Sequence, residues 1–261
     1  MSGVEGVECE DYDEREAGVE ATPGLLMFRR CAIAAIGLLA AATVILGADQ
    51  PSLQFDHVWI VVSPNAPERA ALERAGLQIS PEVNRHDGQG TASITVEFEN
   101  AYLELIWPEA GVAVQPGLEK AAEKFRQRMM WRTSGWCPIG VGFRGTTEAP
   151  AAFPFPTWST HPDWLPPGSD IVILTPRDDT HSPSLFVAPR AHHPLGVHRI
   201  TAIRILSPET YQPIEALDYV QRLHLLEFTK KDGWMLELTL DDGKAEKSKD
   251  LRPDLPLVIR Y

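Results

Sequence analysis

The pattern of apolar and polar positions predicts an α+β body from residue 53 to the end of the chain. Short runs rich in β-branched and aromatic residues predict strands at 54–62, 91–98, 101–107, 138–143, 170–174 and 184–187. Helical spacing predicts helices at 67–75 and 116–130. Residues 53–107 therefore form a βαβββ-like unit.

The last quarter of the chain repeats part of this pattern. Its predicted elements are a helix at 213–223 and strands at 197–206, 225–229, 234–240 and 255–260. The run DHVWIVVSP (56–64) aligns without gaps on ITAIRILSP (200–208), which is a weak internal repeat. Residues 196–261 are therefore predicted to form an additional C-terminal βαβββ-like unit of the same body.

A hydrophobic segment at 27–48 precedes the body. Residues 31–48 are uncharged and about as long as the lower limit for spanning a bilayer, and Phe28-Arg29-Arg30 comes just before them. This pattern predicts a signal peptide or a membrane anchor, with the body on the non-cytoplasmic side. Ala48 suits a cleavage site but Leu46 is bulky for one, so export by cleavage and membrane attachment without cleavage both stay open.

Charge and cysteine content narrow the function classes. Residues 1–26 carry a net charge of −7, which predicts an acidic disordered leader, or an untranslated one if Met27 is the true start. The remaining residues carry −5 without a Lys/Arg cluster, which excludes a nucleic-acid partner. Of the three cysteines only Cys137 lies in the body, so neither a disulfide framework nor a thiolate zinc site is expected.

Several motifs in order resemble the glyoxalase-like proteins of the vicinal oxygen chelate superfamily. Phe55-Asp56-His57, the glycine loop HDGQGTA (86–92) and the strand AYLELIW (101–107) are similar to the first module of that family. Later pieces are similar to its second half, at 136–143, 161–176, 183–189 and 192–205. The resemblance implies a glyoxalase-like domain at 53–195, in which paired βαβββ modules with curved mixed sheets enclose a cleft.

The same resemblance implies a site in the first module. Metal-dependent members of the family place a His on the first strand and a Glu on the last strand of a module, which correspond to His57 and Glu104 here. An imidazole and a carboxylate suit one divalent metal ion, and they also suit acid–base catalysis. Both residues are therefore predicted to be catalytic and, with His198 as a third donor, to be metal ligands.

The second half lacks the matching ligands. In the gapless repeat His57 falls on Thr201, and the carboxylate position holds Val258 or Arg260; if 184–187 is the matching strand instead, Leu185 takes that position. The missing donors would have to come from histidines such as His192, His193 and His198, or from a second chain in a homodimer.

Strand alternation predicts the surroundings of Glu104. Tyr102 and Ile106 share its face, so the carboxylate is expected in a largely apolar cavity. The predicted substrate-binding residues are His86, Tyr102, Trp107 and His193. Trp131, Trp136, Trp158 and Trp164 either line an apolar pocket or fill a core, and Cys137 before a buried strand is expected to be an inert thiol.

These observations lead to two alternative functions. The first is an exported or membrane-anchored enzyme of lyase, isomerase or dioxygenase type, acting on a small oxygenated or aromatic molecule. The second is a non-catalytic protein of the same fold that sequesters such a ligand. The sequence contains no G-x-S-x-G, Walker A or H-E-x-x-H motif, so the hydrolase, nucleotide-phosphate and zincin classes are not supported.

Overall fold

The computed structural model describes residues 53–145, 152–189 and 196–261, all within one compact unit. The predicted leader (1–26), the hydrophobic segment (27–48) and both His192 and His193 lie outside the described residues. Within the described ranges, no helix is long and apolar enough to cross a membrane.

Eight strands form the larger sheet. They are β1 (Leu53–Val61), β2 (Asn84–His86), β3 (Thr91–Glu97), β4 (Tyr102–Pro108), β5 (Ile139–Gly145), β6 (Trp158–Thr160), β7 (Ile171–Ile173) and β8 (Ser184–Ala188). Their order in the sheet is β2-β3-β4-β1-β5-β8-β7-β6. β1 pairs parallel with β4, β5 pairs parallel with β8, and β1 and β5 join the halves in an antiparallel pair.

The two halves of this sheet have the same arrangement. Outward from the β1–β5 pair, one half runs β1-β4-β3-β2 and the other runs β5-β8-β7-β6. Helix α1 (Arg69–Arg74) connects β1 to β2, and helices α2 (Glu119–Met129) and α3 (Trp131–Ser134) connect the halves. The predicted α+β fold with paired βαβββ modules and curved mixed sheets is confirmed.

The C-terminal residues form a separate sheet. It contains β9 (Ile200–Pro208), β10 (Glu227–Lys231), β11 (Met235–Leu240), β12 (Ser248–Asp250) and β13 (Leu257–Arg260), in the order β10-β9-β11-β13-β12. Helix α4 (Glu215–Arg222) connects β9 to β10, which lie side by side in parallel. β1 instead pairs parallel with the last strand of its module, so β1 and β9 share a local sequence pattern but have different neighbours.

Alternation along the strands separates two faces of the larger sheet. Val58 and Ile60 of β1 lie in the main core, which also includes residues of the C-terminal sheet and α4, such as Ile205 and Leu217. The opposite face carries a smaller apolar cluster of Trp59, Val61, Ile106, Leu165, Ile171 and Phe186. The candidate site lies on this second face.

Gly140 gives the β1–β5 pair room for an aromatic ring. It pairs with Trp59, and a methyl group at Gly140 would lie 2.1 Å from Cε2 of the Trp59 ring.

We therefore expect Gly140→Ala to lower the free energy of unfolding by about 1–3 kcal/mol, because the indole must move from its packed position. Urea denaturation measures the change. Gly233→Ala is the matched control, since no atom lies within 4 Å of the added methyl group, and equal losses in both variants would contradict the packing explanation.

Candidate functional site

A cavity of about 160 Å³ opens on the second face of the larger sheet. Strands β1 and β4 form its floor, α2 lies along one side through Leu118, Ala121 and Phe125, and Ile171, Ile173 and Phe186 complete the wall. A cavity of this size in an engineered protein core holds one benzene ring. The space therefore suits a small molecule, or the reacting end of a larger one.

His57 is held in the cavity wall by a carboxylate on the neighbouring residue. Neighbouring strand residues normally face opposite sides, but the β1–β5 register shifts between Phe55 and His57. This irregularity lets Asp56 Oδ2 lie 2.7 Å from His57 Nδ1, while Arg144 Nη1 donates to Asp56 Oδ1 at 3.0 Å. Because the carboxylate accepts from Nδ1–H, the favoured tautomer leaves Nε2 of His57 as a proton acceptor.

Ring contacts fix the orientation of the imidazole. Tyr102, its partner on β4, stacks on His57 with 4.4 Å between the ring centroids, and Phe186 contacts it edge-on at 5.1 Å. On β5 a methyl group at Gly142 would lie 2.7 Å from Cε1 of His57, so only glycine leaves this space open. Burial, with the nearby carboxylate of Glu104, raises the pKa of Tyr102 well above 10.0, so its phenol stays neutral.

Glu104 lies on the same face, two residues along β4 from Tyr102. Its side chain is buried at 6% exposure, and its Oε1 lies 3.5 Å from Nε2 of His86. His86 Nδ1 lies 2.9 Å from the hydroxyl of Thr91, which also accepts a hydrogen bond from Gln89 Nε2. A tautomer with Nε2–H on His86 matches both contacts and directs this proton toward Glu104.

The structure brings together four of the predicted site residues and separates others. His57, Glu104, His86 and Tyr102 all line the cavity, and the alternation along β4 accounts for Tyr102 and Glu104. Trp107 was predicted to bind substrate, and this is corrected: it lies an odd number of residues from Glu104, faces the main core and is 2% exposed.

The described histidine His198 does not join this group. His198 does not line the cavity, and its Nδ1 instead lies 2.6 Å from Asp241 Oδ2 near the C-terminal sheet. The proposed role of His198 as a metal ligand with His57 and Glu104 is therefore corrected. His193 lies outside the described residues.

The donor set does not fit a metal ion in the described part of the chain. No group of three or more His, Cys, Asp or Glu side chains there is placed to hold one. Strands β5 and β8 of the second half explain part of the shortage, because their residues beside the site are Gly140 and Gly142, which lie against Trp59 and His57, and the lining residues Ser184 and Phe186. None of these residues of β5 and β8 offers an imidazole or a carboxylate.

Helix α2 contributes residues that sequence reasoning missed. Lys124, Phe125 and Arg128 line the cavity with Leu118 and Ala121, a spacing that matches one face of a helix. The stripe was visible in the sequence, but nothing there indicated that it would cover β1 and β4. Asp56 and Arg144 were also missed as partners of His57, because a bulge and a distant strand bring them together.

Two of the four tryptophans considered above line the cavity, and the cysteine is buried. Trp158 and Trp164 line the cavity, whereas Trp131 and Trp136 do not. Cys137 is fully buried, and this burial raises its pKa to about 12, so the thiol stays protonated and unreactive.

Comparisons with known proteins give fold similarities only. No family model matches the chain, and no curated protein matches it. Among solved structures, a hypothetical protein from Staphylococcus aureus is 10% identical, with 80% of this chain and 98% of that chain covered and a TM-score of 0.48. A methylmalonyl-CoA epimerase variant from Streptomyces coelicolor, solved with 2-nitronate-propionyl-CoA, is 14% identical, with 55% and 100% covered and a TM-score of 0.34. The epimerase from Mycobacterium tuberculosis is 13% identical, with 53% and 89% covered and a TM-score of 0.33.

The buried Asp56 carboxylate should stabilise both the fold and the tautomer of His57. We expect Asp56→Asn to lower the free energy of unfolding by about 2 kcal/mol or more, because Arg144 loses its charged partner. Nitrogen-15 NMR of the histidine side chains should show loss of the Nδ1–H tautomer preference at His57. Asp170→Asn is the control, since Asp170 pairs with His161 at the surface; an equal loss there, or an unchanged His57 tautomer in Asp56→Asn, would contradict the assignment.

Proposed function

We propose that this protein is an enzyme of lyase or isomerase type that transfers a proton on a small oxygenated molecule, with His57 and Glu104 as its acid–base groups. The observation that supports this proposal is the presence of two imidazole–carboxylate pairs in one apolar cavity. Pairs of titratable groups in a cleft are a common arrangement for moving protons. The alternative is a protein that binds the same ligand without catalysis.

His57 suits the role of base. Its Nδ1–H donates to Asp56, so Nε2 is available to accept a proton from the substrate. The imidazolium that forms would be stabilised by the Asp56 carboxylate, as in catalytic triads. Arg144 donates to Asp56 and holds its carboxylate in place, which makes Arg144 a positioning residue.

Glu104 suits the complementary role. It pairs in register with Trp59, and His57 is two residues earlier on β1. Residues placed diagonally on neighbouring strands are about 7–8 Å apart at Cα, so a substrate carbon between the two side chains is within reach of both. His57 would then accept a proton from the substrate, and Glu104 would pass the Nε2–H proton of His86 back to the same carbon or to an adjacent atom.

The cavity walls would assist this chemistry. Trp59, Ile106 and Phe186 exclude water around the reacting atoms, which strengthens electrostatic interactions there. The neutral phenol of Tyr102 stacks on the His57 ring and adds no charge to the wall. Together these residues favour a ligand with an apolar body.

A metal has no assigned step in this proposal. The predicted divalent ion would need donors beyond His57 and Glu104, and the described cavity residues do not form such a set. The dioxygenase-type function also depends on a redox centre, so it is not part of the proposal. The predicted homodimer, which would add donors from a second chain, stays a prediction.

Hydrogen–deuterium exchange tests the acid–base proposal without knowledge of the natural substrate. Full-length protein in D2O should accelerate exchange of the α-protons in some members of a panel of small oxo compounds, followed by proton NMR. We expect His57→Asn and Glu104→Gln each to slow this exchange by about 10²–10⁴-fold, because each removes one proton-transfer group.

The control for this experiment is His198→Asn, which changes a histidine paired with an aspartate outside the cavity. It should exchange at the wild-type rate. Failure of every compound to exchange faster than without protein would favour the binding alternative. Exchange that a chelator abolishes and one divalent ion restores would contradict the metal-independent mechanism.

Residues 27–48 are proposed to export the body or anchor it at a membrane. When cells are fractionated, we expect the full-length protein in the membrane or exported fraction. The Leu39→Arg variant should remain in the cytoplasmic fraction, because an arginine at the centre of the segment raises the free energy of membrane insertion by about 2.5–3.5 kcal/mol. Val197→Arg, at a side chain 92% exposed, is the control and should fractionate as wild type. Mass spectrometry of the N-terminus identifies the start and any cleavage; cytoplasmic wild-type protein would contradict the proposal.

A further inference from the structure

A buried cation lines the cavity on the side of α2. Arg128 is 3% exposed, its Nη1 donates to the carbonyl of Cys137, and its Nη2 donates to the carbonyl of Asp179 at 3.5 Å. Among the residues that the structure describes, no carboxylate lies within ion-pair distance of Arg128. The Asp179 carboxylate acts on Arg128 only from beyond contact distance, so a ligand that brings a negative charge into contact with the buried guanidinium would be favoured here.

A second cation lies one turn earlier on the helix. Lys124 also lines the cavity, donates to the carbonyl of Pro176 at 3.3 Å, and lies 5.7 Å from the ring centroid of Trp158. It too has no ion pair within the described ranges, because Asp178 pairs with Lys120 instead. Burial and the neighbouring Arg128 lower the pKa of Lys124 to about 8. An anion bound beside Lys124 would therefore stabilise the charged form of this lysine.

An unpaired polar atom lies in the same wall. The hydroxyl oxygen of Thr160 on β6 is buried and has no hydrogen-bond partner among the described residues. Thr160 is two residues from Trp158, whose ring Lys124 approaches. Buried hydroxyls almost always have a partner, so this atom also indicates a ligand oxygen.

We propose that the ligand of this cavity is a small monocarboxylate, with its carboxylate at Lys124 and Arg128 and its apolar part against Trp59 and Phe125. This inference rests on the proposed function, because it names the substrate class of the same site. A planar guanidinium matches a carboxylate in geometry, and a single negative charge costs less to desolvate than a phosphate dianion. The size of the cavity, about 160 Å³, limits the apolar part to roughly one ring.

This position would also orient the substrate. The carboxylate end is held by the helix, and the His57 and Glu104 side chains come from the sheet floor. A carboxylic acid bound in this way presents the carbons beyond its carboxylate to His57 and Glu104. The cations therefore select the substrate class, and the sheet residues act on it.

Calorimetric titration of the full-length protein with benzoate, benzamide and inorganic phosphate tests the assignment. Benzoate and benzamide have nearly the same shape and differ in charge, so we expect benzoate to bind at least about tenfold more tightly. Lys124→Met should weaken benzoate binding about tenfold and leave benzamide unchanged, whereas Lys124→Arg should keep the preference. Equal affinities for benzoate and benzamide, or phosphate binding as tight as benzoate, would overturn the proposal.

The pH dependence gives a second readout. Arg128, Arg177, Asp178 and Asp179 are the charged groups around Lys124, and its own charge is lost as the pH rises through about 8. Benzoate affinity in the wild type should therefore fall above this pH, and Lys124→Arg should remove the fall. A wild-type affinity that stays constant to pH 10 would contradict a role for Lys124 in holding the anion.

The two proposals fail separately. Arg128 also donates to two backbone carbonyls, so the half-buried Lys124 carries the main test. His57→Asn should slow exchange by about 10²–10⁴-fold but keep the benzoate preference. If the wild-type protein catalyses exchange but does not prefer benzoate to benzamide, the carboxylate inference alone is overturned. If it prefers benzoate but does not catalyse exchange, the proposed enzyme function alone is overturned.

Discussion

The pairing of β1 with β4 on one side and β5 on the other determines where the site residues of this protein lie. Residues on β1 face a stacking partner on β4 and a glycine on β5, so His57 lies between Tyr102 and Gly142. The large rings on β1 occupy space that the glycines leave open, and the other face of the same strand is part of the main core. A change in this register by one residue would place His57 in the core and an aliphatic side chain in the cavity.

Charge is distributed unevenly around the cavity. The two carboxylates at the sheet side each have a partner, since Asp56 contacts His57 and Arg144, and Glu104 lies near His86. Among the described residues, the two cations of α2 contact backbone carbonyls and tryptophan rings but form no ion pair with a carboxylate. Charged groups in an apolar site are stable when paired, so the sheet side is complete without a ligand and the helix side gains from an anion. In the function that we propose, acid–base groups on one side and anion recognition on the other would be the two halves of a site for a small acid.

Most strands and helices could be predicted because they are long and strongly periodic. β1, β3, β4, α2 and α4 lie within a few residues of their predicted bounds. The strands that were missed, β2, β6 and β12, have three residues each and lie in segments rich in glycine, proline or charge, where alternation is too short to detect. The repeat of β1 in β9 is a local sequence similarity, but β1 lies between β4 and β5 in one sheet and β9 lies between β10 and β11 in the other. A pattern along one strand does not encode which distant strands lie beside it.

By itself, the sequence determined the period of each strand, and hence that Tyr102, Glu104 and Ile106 share a face, because side chains alternate regardless of the surrounding fold. It also carried the motif order that predicted paired βαβββ modules. Only the tertiary structure decided that Asp56 and Arg144 hold His57, that α2 adds Lys124 and Arg128, and that Trp107 and His198 lie elsewhere. These outcomes depend on strand pairing, a bulge and helix docking between residues far apart in the chain, and local patterns do not specify such contacts.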